Sequence, residues 1–278
     1  MSVDFDWKLL SGEQPSIAQI IKGHFNIHET ILYGKNKMNM KNNVRPTKVK
    51  RHQISGNPHL NVLINRCFEG LCEQDRRRFL KKFRQELHAD DQVIHVVREL
   101  VLGAYLGSSG FIVRYHHKID GQTPDWSLVD KTSQVRGIVD LMNLHIDKKT
   151  ENEIGQQRRA RGRAVYWRDA NKDNVGRLHQ LLVLKAEHYQ DLVDKLSIPY
   201  AVSVFADYCF AMDDGDMTTC FFNPRYNFFS MHPQVSGVLH FVENAGQYVF
   251  QYTPNPDASR PLSLPNGTFP PLVQVSPQ

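Results

Sequence analysis

Thr123-Pro124-Asp125-Trp126 and Gly137-Ile138-Val139-Asp140-Leu141-Met142 decide how this chain is read. The second run is apolar and partly β-branched around a single carboxylate, which suits a strand. Side chains alternate along a strand, so Asp140 and Met142 share a face. Asp125 follows a proline and opens another strand-like run, Asp125–Val129. Upstream, Val93, Ile94, Val96, Val97, Leu100, Val101, Leu102, Ala104 and Tyr105 make a stretch that is apolar nearly all round. It reads as a buried helix over 91–107, capped by Asp90 or Asp91. Glu99 interrupts it, with His95, Val96, Leu102, Gly103 and Leu106 as helical neighbours. An uncompensated buried charge costs several kcal/mol, so a metal ion or a basic partner is expected beside Glu99.

On either side, Phe111–His117, Asp125–Val129 and Arg136–Asn143 read as strands. A helix follows over 177–196, with Leu181, Leu182, Leu184, Leu192, Val193 and Leu196 apolar, and then a buried-type strand, Ile198–Phe205. The order helix, three strands, helix, strand predicts a layered α/β core. Two carboxylates at neighbouring strand ends and a third on a buried helix form a hard-oxygen site suited to Mg²⁺ or Mn²⁺. Such an ion polarises a phosphate oxygen and acidifies a coordinated water.

Glu99, Pro124-Asp125 and Asp140-Leu141-Met142 in that order of elements resemble the PD-(D/E)-x-K nuclease superfamily, the restriction-endonuclease-like fold, over about residues 91–206. The resemblance implies a metal-dependent nuclease cleaving phosphodiester bonds of DNA or RNA, with Glu99, Asp125 and Asp140 as ligands for Mg²⁺ or Mn²⁺. The family lysine, which positions or activates the attacking water, falls on Met142, a departure from the pattern. On the next helix, Lys185-Ala186-Glu187-His188-Tyr189 is similar to the Gln-x-x-x-Tyr motif of the superfamily's exonuclease branch, with Lys185 in the Gln position. Lys185 and Tyr189 lie one turn apart on one face. Lys185 is either the relocated catalytic ammonium, supported by Tyr189, or an ordinary surface lysine. Two other readings stay open. In one the chain is a catalytically inactive nuclease-fold module that binds nucleic acid or protein. In the other it is an α/β binding domain whose acids pair with arginines such as Arg98 or Arg114.

The rest of the sequence frames this core. The chain has 278 residues, 41% hydrophobic and 10% aromatic, enough for a sizeable core. Its net charge of +5 is mild, but the basic residues cluster. Residues 34–57 form an expected basic loop containing Lys48, Lys50 and Arg51, and Arg158, Arg159, Arg161 and Arg163 form a second group near Tyr166 and Trp167. Both suit a nucleic-acid backbone, with the aromatics available for stacking, or else a solvated loop. With the nuclease resemblance, nucleic acid is the expected partner, and a homodimer is compatible with the chain.

The expected organisation is an N-terminal helical region (1–90), the nuclease-like core (91–206), added strands or a cap (207–252) and a Pro-rich tail (253–278). The helical region holds amphipathic segments at 16–33, 59–72 and 75–88. In the last, Phe79, Leu80, Phe83 and Leu87 form a stripe, with Arg76, Arg77, Lys81 and Lys82 mostly off it. His24 and His28 read as surface histidines, His116 and His117 as one facing the core and one the groove, and Asp213-Asp214-Gly215-Asp216 as a turn. No run of about 18 apolar residues argues for a membrane span. Cys67, Cys72, Cys209 and Cys220 lack metal or disulfide spacing and suit free thiols in the cytoplasm.

Overall fold

A computed structural model describes residues 58–86, 90–144, 153, 156–157, 160, 174–206, 212, 214–244 and 247–270. The chain begins there with α1 (Pro58–Gly70), α2 (Glu73–Glu86) and α3 (Asp90–Ser108), followed by β1 (Ile112–Tyr115), β2 (Trp126–Val129) and β3 (Val135–Leu144). Then come α4 (Asn174–Leu196), β4 (Tyr200–Ala206), α5 (Asp214–Phe222), α6 (Phe228–Met231), β5 (Gly237–Asn244), β6 (Gln247–Pro254) and β7 (Gly267–Phe269). Among the described residues, the named elements from α3 to β4 follow in the order helix, three strands, helix, strand within a mixed α/β fold. The segments at 16–33 and 34–57, including His24, His28, Lys48, Lys50 and Arg51, lie outside the described residues, as do Arg158, Arg159, Arg161 and Arg163.

One sheet runs β1-β2-β3-β4-β5-β6-β7. β1–β2 and β2–β3 are antiparallel, β3–β4 and β4–β5 parallel, and β5–β6 and β6–β7 antiparallel. Strand alternation sorts the apolar residues onto two faces. Val139, Leu141, Ala201, Phe205, Leu239 and Phe241 join α1–α3 in one cluster. Ile138, Met142, Leu144, Tyr200, Val202, Val204 and Val238 join α4–α6 in the other. Helices on both faces are why β3 and β4 are near-continuous apolar runs rather than alternating ones. β6 does alternate: Tyr248, Phe250 and Tyr252 are buried while Val249 and Gln251 are exposed.

The N-terminal helices share the core of the sheet. Phe79 of α2 makes ring contacts with Phe68, Phe83 and Tyr115 of β1, and Glu73 and Asp75 in its first turn suit the positive end of the helix dipole. Two boundaries differ from the sequence reading. Asp214 and Asp216 open helix α5 rather than forming a turn, for the same dipole reason. The Pro-rich tail contributes a strand, because Gly267–Phe269 pairs with Tyr248–Phe250. No helix among the described residues is long and apolar enough to cross a membrane. Cys67, Cys72 and Cys220 are free. Burial pushes the Cys67 and Cys220 thiols up to about 12, so neither is a thiolate at neutral pH.

Candidate metal centre

Helix α3 delivers Glu99, and a glycine sets how close it comes. The Trp126 indole N–H donates to the Glu99 carbonyl at 3.0 Å, and its ring lies against Gly103, one turn further on. A Cβ on Gly103 would stand 2.2 Å from Trp126 Cζ2, so only glycine allows this approach. Glu99 is 6% exposed. Its Oε2 accepts from the Tyr115 hydroxyl at 2.5 Å and its Oε1 from Lys82 Nζ at 2.6 Å. Burial, helped by the Asp125 charge, pushes the Glu99 carboxyl up, and Lys82 opposes this.

Asp125 immediately precedes β2, and Asp140 lies on the adjacent strand β3. Trp126 pairs with Val139, so the antiparallel register brings Asp125 opposite Asp140. The Asp125 N–H donates to Asp140 Oδ1 at 3.2 Å, and the Leu141 N–H donates to Asp125 Oδ2 at 2.8 Å. Burial would raise the Asp125 carboxyl. The His116 hydrogen bond, the Lys82 and His116 charges and the Leu141 N–H outweigh it and hold this acid below the usual carboxylate range. Asp140, sharing a face with Ile138 and Met142, turns toward α4. There Lys185 Nζ donates to Oδ2 and the Tyr189 hydroxyl to Oδ1 at 3.2 Å. Burial and the Asp125 charge push the Asp140 carboxyl up to about 7 against the pull of Lys185. Burial would lower the Lys185 ammonium, but the Asp140 carboxylate holds it above the ordinary lysine range.

His116 completes the cluster from just beyond β1. Its φ of 45° is left-handed, a conformation costing a non-glycine residue on the order of 1 kcal/mol and sustained only where the surroundings impose it. Here they do. Its N–H donates to the Asp125 carbonyl at 3.0 Å, and its carbonyl accepts from Arg78 at 2.9 Å. The ring is thereby aimed inward, with Nε2 3.2 Å from Asp125 Oδ1 and 3.9 Å from Glu99 Oε2. Behind it, Asp75 is fully buried and accepts from Arg114 Nε at 2.5 Å, Tyr115 N–H at 3.2 Å and Arg78 at 3.2 Å. This network clamps α2 onto β1.

One ligand atom each from Glu99, His116 and Asp125 lies within 4.8 Å of the others, a group that could hold a metal ion. Two carboxylates and an imidazole suit a divalent first-row ion such as Mn²⁺ at least as well as Mg²⁺. The sequence-derived trio is thus split. Glu99 and Asp125 converge, while Asp140 stands beside them, engaged by Lys185 and Tyr189. Lys185 is not a freely solvated surface lysine, since it is ion-paired to Asp140. Met142, at the position of the family lysine, is 6% exposed and packs in the cluster with Leu178 and Leu182. Arg114 serves Asp75, and Arg98 donates to Asn143 and stacks over Phe205.

Sequence reasoning missed Lys82 and left His116 as one of two histidines. A signal for Lys82 was present. Asp75, Arg78 and Lys82 follow at three and four residues, a second helical row beside the Phe79–Phe83 stripe. Nothing in the sequence marks the left-handed turn at His116. No protein-family model matches the chain, and no curated protein or solved structure is significantly similar to it.

Proposed function

We propose that this protein is a metal-dependent nuclease that cleaves phosphodiester bonds of DNA or RNA on a degenerate PD-(D/E)-x-K-like core. The convergence of Glu99, His116 and Asp125 beside an Asp140–Lys185 pair carries the reading. The order from α3 to β4 supports it. Glu99, His116 and Asp125 would hold the ion, Mn²⁺ or Mg²⁺, which when bound polarises a phosphate oxygen and acidifies a water. Lys185, its side chain 32% exposed, reaches solvent at the edge of the cluster and takes the role of the missing motif lysine, orienting the attacking water. Asp140, with a carboxyl near 7, is able to accept and return a proton at neutral pH. Tyr189 fixes Asp140 through its hydroxyl. On sequence grounds, Lys48, Lys50, Arg51, Arg158, Arg159, Arg161 and Arg163 bind the phosphate backbone.

The test is cleavage of labelled single- and double-stranded DNA and RNA with Mn²⁺ or Mg²⁺, wild type beside Asp125→Ala. Metal-dependent cutting lost in the variant supports the proposal. No cutting by the wild type under any condition sinks it. A second reading, an inactive nuclease-fold module that binds without cutting, is favoured by one observation. Lys82 and Lys185 already neutralise Glu99 and Asp140 without a metal. Retained binding of uncut nucleic acid would select that reading.

A further inference from the structure

Lys82 comes from α2, outside the α3-to-β4 order, yet its ammonium sits inside the centre. It is 2.6 Å from Glu99 Oε1 and 3.4 Å from His116 Nε2. Both residues belong to the three-residue group. A divalent ion bound to them would stand about 2 Å from each donor. The ammonium and the ion therefore both draw on the Glu99 carboxylate, beside His116. The Lys82 side chain is 30% exposed, so its flexible stem has an outward path. Helix α2 need not move to release it, because Asp75 and Arg78 hold that helix on β1 and His116 independently of Lys82.

We infer that Lys82 is an internal cation that competes with the metal for the Glu99 carboxylate and thereby sets the affinity of the centre. The inference rests on the metal-centre reading above. Without an ion, Lys82 supplies the positive charge that a buried Glu99 needs. Entry of the ion parts the Lys82–Glu99 pair, and the ammonium swings toward solvent. Removing Lys82 thus has two effects of opposite sign: the ion-free protein loses a counter-charge, and the ion meets less competition and less repulsion.

The experiment is calorimetric titration of the full chain with Mn²⁺, paired with melting in EDTA and in Mn²⁺, for wild type, Lys82→Met, Lys82→Arg and Asp125→Ala. The expected result is that Lys82→Met binds Mn²⁺ at least about tenfold more tightly than wild type. It should also melt lower in EDTA and gain more from Mn²⁺. Lys82→Arg, which keeps the charge, should bind no more tightly than wild type. Where Lys82→Met does not stay folded without metal, Lys82→Gln removes the charge, keeps a donor to Glu99 and gives the same comparison. Equal or weaker binding by the charge-removing variant, with wild-type binding measurable and lost in Asp125→Ala, overturns the role of Lys82 and leaves the metal centre standing. No Mn²⁺ binding by any of these proteins overturns both.

Discussion

Asp125, immediately before β2, lies opposite Asp140 of β3, and each carboxylate accepts a backbone N–H from the other's segment. The Asp125 N–H donates to Asp140 Oδ1 at 3.2 Å, and the Leu141 N–H donates to Asp125 Oδ2 at 2.8 Å. The Asp125 carboxylate therefore caps a backbone donor as well as belonging to the three-residue group that could hold a metal ion. Asp125→Ala and Asp125→Asn should separate those roles. Both should lose stabilisation by Mn²⁺. In EDTA, Asn should be more stable than Ala by about 1 kcal/mol, because the amide oxygen still accepts from Leu141 whereas alanine leaves that N–H unpaired. Equal denaturation midpoints for the two variants would show that the Leu141 bond contributes nothing.

Gly103 is the contact on which the placement of Glu99 depends. Alanine there puts a methyl 2.2 Å from the Trp126 ring, whose N–H holds the Glu99 carbonyl. Overpacking of this kind costs about 1–3 kcal/mol, and relief requires the indole or the helix to shift. A methyl added at Gly107, on the same helix, would meet nothing within 4 Å, so Gly107→Ala should be neutral or stabilise by up to about 1 kcal/mol through helix propensity. Chemical denaturation of the two variants checks the contrast. Equal midpoints would mean that α3 does not pack on Trp126 this closely.

The core was legible because its signals are local. An all-round apolar helix, three short strands and a following helix–strand pair each carry their own periodicity, and Glu99 stood out as a charge in an apolar run. Lys185 was reachable through its one-turn spacing to Tyr189. Of the candidate metal group, Glu99 and Asp125 were legible and His116, with its neighbour Lys82, was not. His116 enters it through a left-handed φ fixed by bonds to Asp125 and Arg78, and Lys82 enters it because α2 docks on β1 through Asp75. Both are tertiary facts with no short-range pattern. The same applies to Asp140, whose face on β3 was readable but whose partner on α4 is set by how that helix lies on the sheet.

Asp75 should matter more than any surface pair on the same helix. It is fully buried and accepts from Arg114, Arg78 and the Tyr115 N–H, whereas Glu73 meets Arg77 with both side chains mostly exposed. Asp75→Ala leaves buried donors unpaired and should cost about 3–5 kcal/mol. Glu73→Ala should cost less than about 1 kcal/mol. Asp75→Ala should also weaken Mn²⁺ binding, since His116 is aimed by Arg78 from the same network. Comparable stability losses in the two variants would show that Asp75 does not clamp α2.

The pH dependence of the ion-free protein should carry the signature of Asp140. Its carboxyl is raised from 3.8 in the unfolded chain to about 7 when folded, so the folded state binds the proton more tightly. That contribution is fully present below about pH 4 and is lost as pH rises toward 7, with a slope of at most about 1.4 kcal/mol per pH unit. Asp140→Asn cannot lose this proton. In metal-free buffer the stability of wild type relative to Asp140→Asn should therefore fall from pH 4 to 7 and level off above. Titrations of groups remote from Asp140 cancel in the difference. Saturating Mn²⁺ places positive charge beside the acids, lowers the Asp140 carboxyl and should flatten the trend. A difference that stays constant from pH 4 to 8 without metal would mean that Asp140 ionises as an ordinary carboxylate and has no proton to exchange near neutrality.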